Sequence, residues 1–323
     1  MVVLLSAFCL LGTLLRQHPV VGLLFDLLRW PVFILGFACG GYAFSRRAWR
    51  APILMMCAAA LMFGEWVHGL LTRADLSERL SGGGRVAQRL TVMTYNLQHE
   101  GGVPEMSLEA LRSRSPQILA LQEAGGAWPA RLEREIAPRF AHRDVTGRGA
   151  GTLMLLSRYP LRQVTYVTDD DGHPFAQCAE VHLPNDLVLV CNVRLEPPTL
   201  PWQSPLALWQ QFTAHAEQRR WQWNKLATVA DQRGSAMARV IMGDFSMVEW
   251  DPLWRQVRTT YVDGFRSASF MPGFTFPALR SFPPLPLARV DFVFVRGRLS
   301  TPGADTLSLT GSSHRAVMVD LEL

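Results

Sequence analysis

The stretch Arg239-Val-Ile-Met-Gly-Asp-Phe-Ser246 places a short apolar run directly before a glycine, a carboxylate and a hydroxyl. Short apolar runs that end at a turn residue are typical of buried strands. A carboxylate just past the last buried position can face a pocket without full desolvation. Asp244, followed two residues later by Ser246, is therefore the first candidate for an active site. On its own the tripeptide Gly-Asp-Phe more often marks a plain turn after a strand. Whether Asp244 belongs to an active site therefore depends on what the other strand ends carry.

The first 72 of the 323 residues are strongly apolar and contain three apolar blocks. The blocks are Val2 to Leu15, about Val20 to Phe44, and Ala51 to Leu71. A helix needs about 20 residues to cross a bilayer, so the second and third blocks are long enough and the first is marginal. A cleaved signal peptide is the alternative for the first block, but its basic n-region is missing. We expect residues 1–72 to form an anchor of two or three transmembrane helices, with three preferred.

The short loop between the second and third blocks carries Arg46, Arg47 and Arg50. Short basic loops remain in the cytoplasm, so the third block should lead out of the cell. Residues 73–89 include Ser81-Gly-Gly-Gly-Arg85 and are typical of a flexible tether. We therefore expect residues 90–323 to form one domain outside the cytoplasmic membrane.

Residues 90–323 alternate between short apolar runs and turn residues, with few helical patterns. Many strands and few helices indicate an α+β fold, a four-layer sandwich of two packed mixed sheets flanked by helices. Helices are predicted at Ser107 to Arg114 and Trp202 to Asp231. Strands are predicted at 90–96, 118–123, 151–157, 163–168, 176–183, 187–195, 239–244, 289–295 and 316–323, with an irregular Pro-rich segment at 270–287.

Two cysteines, Cys178 and Cys191, flank the turn Pro184-Asn185-Asp186. If Leu187 pairs with His182, the two cysteines lie opposite each other on neighbouring strands. Cross-strand β-carbons are about 4.5–5.5 Å apart, which is slightly long for a disulfide. We expect two buried thiols, with a disulfide in an oxidising compartment as the alternative.

Polar residues end or follow several of the predicted strands. They are Asn96, Glu123, Asp244 with Ser246, Asp291, and His314. Each has an ordinary structural explanation as a strand cap or a solvated side chain. Together they supply an amide, three carboxylates and an imidazole. Carboxylate and amide oxygens suit a hard divalent cation, and an attacking water needs a base, so the set indicates a metal-dependent phosphoesterase.

The motifs around these residues resemble those of the endonuclease/exonuclease/phosphatase superfamily. The motifs are Thr94-Tyr-Asn-Leu97, Leu121-Gln-Glu123, Ser157-Arg-Tyr-Pro160, Gly243-Asp-Phe245, Arg289-Val-Asp-Phe292 and Ser313-His-Arg315. The apolar N-terminal blocks and Gly273-Phe-Thr-Phe-Pro277 make the chain similar to a bacterial membrane branch that includes glycopeptide-resistance-associated phosphatases. For that branch the resemblance implies a lipid substrate such as undecaprenyl pyrophosphate.

The resemblance also implies a role for each polar residue. Glu123 would be the main ligand of Mg²⁺, or Mn²⁺, and Asn96 would support that metal site. Asp244 would orient or help to deprotonate the attacking water. His314 would face the scissile phosphate, with Asp291 fixing its tautomer.

Three positions depart from the family pattern. The family usually has Asn at Ser246, Asp at Ser313 and His at Arg194. Ser246 can still donate one hydrogen bond, whereas Ser313 removes a negative charge from the site. Arg194 could stabilise phosphate charge as a fixed cation, or it could be a surface residue without a role.

Three functions therefore compete at this point. The first is a membrane-anchored phosphoesterase that acts on a phosphorylated envelope lipid. The second is an extracytoplasmic nuclease, which is disfavoured because the N-terminal part holds three of the five net positive charges and leaves few for binding nucleic acid. The third is a binding protein that has kept the fold and lost the chemistry, as Ser246, Ser313 and Arg194 suggest.

Overall fold

The computed structural model describes residues 88–98, 105–198, 204–234, 238–249, 251–269, 271–277, 288–309 and 311–323. The predicted anchor and all but the last two residues of the predicted tether lie outside the described residues. The tether boundary at residue 89 is wrong by one residue, because Arg89 is already the first residue of a strand. None of the helices within the described part of the chain is both long and apolar enough to cross a bilayer.

Twelve strands and five α-helices alternate along the described residues. In chain order they are β1 (Arg89–Asn96), α1 (Glu105–Arg114), β2 (Ile118–Gln122), α2 (Trp128–Glu135), β3 (His142–Thr146), β4 (Leu153–Ser157), β5 (Leu161–Thr168), β6 (Pro174–His182), β7 (Leu187–Arg194), α3 (Pro205–Asp231), β8 (Ala238–Asp244), α4 (Pro252–Arg258), β9 (Val262–Asp263), α5 (Gly264–Ala268), β10 (Asp291–Arg296), β11 (Ser300–Leu307) and β12 (Ala316–Glu322).

The strands form two six-stranded sheets of similar design. Sheet one has the order β11-β12-β1-β2-β4-β3, and sheet two has the order β5-β6-β7-β8-β10-β9. Each sheet has one parallel pair at its centre, β1 with β2 and β7 with β8, and its other neighbours are antiparallel. The predicted fold of two packed mixed sheets with flanking helices is confirmed.

Alternating side chains of the central strands build three apolar layers. Along β1, Leu90 and Val92 point between the sheets, where they join a cluster with Val190 and Val240 of sheet two. Met93 and Tyr95 point to the opposite face of the same strand. This period of two is what buries both faces of a central strand.

The outer faces of the two sheets are covered by helices. Helices α1 and α2 cover sheet one through Leu108, Leu111, Trp128 and Leu132. Helices α3 and α4 cover sheet two, with Trp223, Leu226, Leu253 and Trp254 in the buried cluster. On α3, the aromatic residues Phe212 and Trp223 are buried, and Trp223 packs in this cluster.

The cysteine pair lies on β6 and β7 with the predicted register. His182 pairs with Leu187 and Cys178 pairs with Cys191. The expected pair of free thiols is wrong, because the two sulfurs are bonded at 2.06 Å. The two α-carbons are 4.0 Å apart, closer than the roughly 4.5–5.5 Å that is usual between α-carbons of opposite residues on antiparallel strands.

Several elements escaped the sequence patterns. Strand β11 contains Pro302 and Gly303, which normally argue against a strand, but it lies at the edge of sheet one, where proline is tolerated. Strand β3 is polar because it forms the other edge of the same sheet. Residues 149–151 form a 3₁₀ turn, so the strand predicted at 151–157 begins at Leu153.

Candidate active site

The polar strand ends of the two sheets meet at one edge of the sandwich. Asn96 and Arg194 are the last residues of β1 and β7, and Asp244 is the last residue of β8, paired with Arg194. Asp291 begins β10 opposite Asp244, and His314 precedes β12 by two residues. Carboxyl ends of parallel strands are where loops and functional groups gather in mixed sheets, and here both central pairs contribute.

Gly243 allows strand β8 to approach β7 closely at this edge. A β-carbon built on Gly243 would lie 1.9 Å from the carbonyl oxygen of Val193, and the residue has a φ of 151°. No side chain fits there, so the glycine before Asp244 is required by backbone packing. The close approach keeps Asp244 in register with Arg194.

Three residues just beyond strand ends adopt left-handed backbone conformations. They are Gln98 after β1, Glu123 after β2 and Ser246 after β8, with φ values of 51°, 53° and 48°. Such conformations are uncommon for residues with a side chain and cost free energy that the surrounding structure must offset. Their concentration at three strand exits around one pocket indicates a functional site.

The side-chain amide of Asn96 connects two carboxylates from different sheets. Its fully buried Nδ2 donates to Glu123 Oε1 at 3.1 Å and to Asp244 Oδ2 at 2.9 Å. Its Oδ1 accepts the backbone N–H of Gln98 at 2.9 Å. Asn96 therefore acts in this arrangement as a positioning group that holds Glu123 and Asp244 next to each other.

Ser246 supplies two hydrogen bonds to the other oxygen of Asp244. Its backbone N–H donates to Asp244 Oδ1 at 2.7 Å, and its hydroxyl donates to the same oxygen at 3.1 Å. Ser246 therefore orients the Asp244 carboxylate even though it lacks the amide that the family resemblance led us to expect.

Asp291 and His314 form a buried pair, which we call the inner pair. His314 Nδ1 lies 2.9 Å from Asp291 Oδ2, and the two side chains are 10% and 0% exposed. Burial alone would lower the pKa of the imidazole, but the carboxylates of Asp291, Asp244 and Glu123 outweigh it and raise the pKa of His314 to about 9. The imidazole is therefore protonated at neutral pH and donates to Asp291.

The site has the donor chemistry that a divalent cation requires. Oxygens of Asp244 and Asp291 lie within 4.8 Å of each other and of a ring nitrogen of His314. The protonated imidazole has no free lone pair, so the carboxylate oxygens are the ligands available here. Asp291 Oδ1 is buried and has no hydrogen-bond partner among the described residues. Glu123 adds a third carboxylate, linked to Asp244 through Asn96. Such oxygen-rich clusters suit Mg²⁺ or Mn²⁺.

Glu123 and Arg194 form a second ion pair, which we call the outer pair. Arg194 donates from Nε and Nη2 to Glu123 Oε1 at 3.1 and 3.0 Å. The two side chains are 22% and 17% exposed, so solvent reaches both. Arg194 thus contacts the expected metal ligand. The sequence leaves two interpretations of this residue open, a cation that stabilises phosphate charge and a surface arginine without a role, and its part in the chemistry stays a prediction.

Other residues of the site were not among the sequence candidates. Gln98 Oε1 accepts the backbone N–H of Ser313 at 2.8 Å, which ties the exit of β1 to the loop that carries His314. The Thr275 hydroxyl accepts the N–H groups of Val290 and Asp291 at 3.1 and 3.2 Å. The only sequence signals were the position of Gln98 just after a strand end and the aromatic residues around Thr275.

The sequence matches one family of known proteins. The model of the endonuclease/exonuclease/phosphatase family matches residues 93–314. None of the curated protein sequences matches the chain.

Solved structures share the fold over most of the described residues. A functionally unknown conserved protein from Enterococcus faecalis V583 has a TM-score of 0.57 at 16% identity, over 72% of this chain and 99% of that one. An endonuclease/exonuclease/phosphatase from Bacteroides vulgatus has a TM-score of 0.56 at 14% identity, over 73% and 99%. Truncated Caenorhabditis elegans TDP2 has a TM-score of 0.52 at 15% identity, over 73% and 98%. These likenesses show the fold.

Proposed function

Because the chain belongs to the endonuclease/exonuclease/phosphatase family, we propose that residues 90–323 form a metal-dependent phosphoesterase domain that hydrolyses a phosphate ester or pyrophosphate. The observation that carries this proposal is the convergence of Asp244, Asp291 and His314 within 4.8 Å, next to Glu123. A buried base, an imidazolium and acidic oxygens in one pocket are what in-line attack of water on phosphorus requires.

Glu123 would be the main ligand of the cation, with Asp244 beside it and Asn96 holding the two carboxylates together. Mg²⁺ or Mn²⁺ bound there supplies positive charge that stabilises the phosphate oxygens as charge develops on them. The remaining work falls to side chains whose positions the structure gives.

Asp244 is placed to orient the attacking water. Ser246 and Asn96 fix both of its oxygens, so the carboxylate has one orientation and can accept a hydrogen bond from water along a fixed direction. His314 is held by Asp291 through Nδ1, which leaves the N–H on Nε2 as the donor toward a phosphoryl or leaving-group oxygen. The P–O bond to the leaving group breaks as the water oxygen bonds to phosphorus.

Arg194 is a cation in direct contact with Glu123. Two N–H groups of its guanidinium donate to Glu123 Oε1, and the group can turn toward phosphate oxygens without leaving the site. A planar guanidinium matches two phosphate oxygens at once. It would then provide the phosphate contact that the family usually assigns to a histidine.

We further propose that the substrate is a phosphorylated envelope lipid and that the domain faces the exterior. Two observations support this location. The apolar blocks and the basic loop between them predict an anchor with an outward C-terminal domain. The Cys178–Cys191 disulfide is typical of an oxidising compartment. A reporter that works only in the cytoplasm, fused to the C-terminus, should be inactive, and an active one would contradict the orientation.

A second candidate function is that of a binding protein without turnover. The observation that favours it is the Arg194 ion pair, because a guanidinium occupies an oxygen of the expected main metal ligand. In that case the pocket would bind phosphate through Arg194 and His314 and would not hydrolyse it.

One assay series separates the candidates. The purified full chain is incubated with Mg²⁺ or Mn²⁺ and with a lipid pyrophosphate, single- and double-stranded DNA, or a bis-aryl phosphodiester. Metal-dependent phosphate release from the lipid pyrophosphate supports the proposed function. Cleavage of DNA alone would favour a nuclease, and binding without turnover of any substrate would favour the binding protein.

A further inference from the structure

Exposed apolar side chains are concentrated beside the candidate site. Among the described residues the large hydrophobic side chains with substantial exposure are Val145, Tyr166, Met271 and Phe276. Two of these four, Met271 at 67% and Phe276 at 36%, lie on the loop of residues 271–277. This loop therefore offers water an apolar surface that a folded protein would otherwise bury.

The loop is firmly attached on the side of the inner pair. Thr275 is fully buried, its backbone N–H donates to the Ala288 carbonyl at 2.8 Å, and its carbonyl accepts the Arg315 N–H at 2.8 Å. Its hydroxyl accepts the Asp291 N–H at 3.2 Å. Thr275, the residue before Phe276, is thus hydrogen-bonded to Ala288 and Asp291 and also to Arg315, which directly follows His314.

The beginning of the loop is held by a partly buried arginine. Arg266 donates to the carbonyl oxygens of Met271 and Pro272, each at 2.9 Å. Its guanidinium is itself paired with Glu249 at 2.5 and 2.6 Å. Gly273 lies directly on the Phe265 ring, where a β-carbon would come within 2.3 Å of a ring atom. The exposed side chains therefore project from a fixed backbone.

The Phe276 ring contacts the inner pair. Its centroid lies 4.9 Å from that of the His314 ring, with 45° between the ring planes. A phosphate group that reaches the His314 imidazole must therefore bring the group esterified to it close to Phe276. An apolar group placed there would gain burial on the exposed part of the ring, whereas a sugar or a second charged group would not.

We propose that Phe276, together with Met271, forms a subsite for a hydrocarbon group esterified to the reacting phosphate. The substrate class is then a phosphate or pyrophosphate of an apolar alcohol. This inference rests on the proposed function of the same pocket, and it assigns to residues of the loop the choice among phosphate esters.

The test uses methyl pyrophosphate and geranyl pyrophosphate, which carry the same two phosphates and differ only in the alkyl group. The full chain is kept in one detergent, and phosphate release is followed with Mg²⁺ for wild type, Phe276→Ser, Phe276→Leu and Met271→Ser. Val145→Ser is the matched control, since it removes an exposed apolar side chain from β3. Partition of the geranyl chain into micelles is the same for every protein, so ratios between proteins report the subsite.

We expect wild type to prefer the geranyl ester in kcat/KM, and Phe276→Ser to reduce this preference about ten-fold or more, as is typical for apolar pockets. Phe276→Leu should retain most of it, Met271→Ser should reduce it in part, and Val145→Ser should leave it unchanged. An equal preference in wild type and Phe276→Ser would overturn the subsite, even if hydrolysis is normal. If Phe276→Ser loses activity on both esters, Met271→Ser decides, because its exposed side chain contributes little to folding. A geranyl-to-methyl ratio in Met271→Ser equal to that of wild type would then overturn the proposal.

Binding measurements separate failure of the subsite from failure of the proposed function. The methylenediphosphonate analogues of the two esters resist hydrolysis, and their affinities are measured by calorimetry on the same proteins. A geranyl preference that depends on Phe276, with no turnover of either ester, would support the subsite and contradict hydrolysis. Turnover without any chain preference in rate or affinity would support hydrolysis and contradict the subsite.

Discussion

The inner pair and the outer pair of the site are both carboxylate–cation contacts, but their surroundings differ. Asp291 and His314 are 0% and 10% exposed, whereas Glu123 and Arg194 are 17% and 22% exposed. Charges in the buried pair must stay together, because either one alone would carry a large desolvation cost. The partly exposed pair is screened by water and can exchange partners at little cost.

The difference in exposure does not follow the family motifs. Glu123, Asp291 and His314 all lie within motifs that carry the family resemblance, and Arg194 is a departure. A second departure, Ser313, lies next to the buried histidine. We therefore expect burial to set how tightly each pair is held, and the inner pair to tolerate substitution less than the outer pair.

The largest effect is expected for Glu123→Ala. This change removes the main acidic oxygens on the outer side and should abolish metal-dependent hydrolysis, with a loss of metal affinity of at least about 100-fold, since even outer-shell groups are worth 10–100-fold. Calorimetric titration with Mn²⁺ measures the affinity, and far-ultraviolet circular dichroism checks the fold. An affinity equal to that of wild type would refute Glu123 as the main ligand.

His314→Ala should reduce kcat by about 10²–10⁴-fold, because it removes the proton donor of the inner pair. Metal affinity should change much less than in Glu123→Ala, since the outer carboxylate is still present. Steady-state kinetics and Mn²⁺ titration of both variants give the comparison. If His314→Ala retained wild-type kcat, the assignment of the inner pair to the chemical step would be wrong.

The two pairs should also differ in their contribution to stability. Asp291→Ala removes the carboxylate that keeps His314 protonated, so the buried imidazole either stays charged without a partner or releases its proton. The free energy of unfolding should therefore fall by up to about 3–5 kcal/mol. Arg194→Ala breaks a partly exposed pair and should change it by about 0–1 kcal/mol. Urea denaturation of both variants in the presence of a chelator measures this contrast. Equal losses would show that exposure does not distinguish the pairs.

The smallest effect is expected when the family residues are restored. If the site uses the usual arrangement, Ser313→Asp and Ser246→Asn should raise kcat/KM or metal affinity by about 10²-fold, the lower part of the range for acid–base groups. If Arg194 and the serines are adapted to each other, Ser313→Asp would neutralise Arg194 and lower activity. The single and double variants, each with and without Arg194→His, distinguish these outcomes in kcat/KM.

Much of the fold followed from local patterns. The apolar runs that became β1, β2, β7 and β8 are buried on both faces, so their composition identifies them. Strand β12 instead alternates between buried and partly exposed residues, and this alternation identifies it. The edge strands did not follow, because a strand that pairs on one side tolerates polar residues, proline and glycine. The short helix α5 is five residues long and has too few positions for a periodic pattern.

For the site, the sequence identified residue types but not contacts. Asn96, Glu123 and Asp244 could be selected because each ends or follows an apolar run, and Asp291 and His314 because each lies at or just before the start of one. That Asn96 bridges two carboxylates depends on how the two sheets pack, since Asn96 and Asp244 are 148 residues apart. The Arg194–Glu123 pair likewise joins residues 71 positions apart on different sheets.

The most direct test of the whole site is the rate of phosphate release from geranyl pyrophosphate by the full chain, measured with Mg²⁺ and again with a chelator. We predict release that requires Mg²⁺ in wild type and falls at least about 100-fold in His314→Ala, since general acid–base groups contribute about 10²–10⁴-fold. Release that persists unchanged in chelator, or that is equal in wild type and His314→Ala, would contradict a metal-dependent phosphoesterase built on the inner and outer pairs.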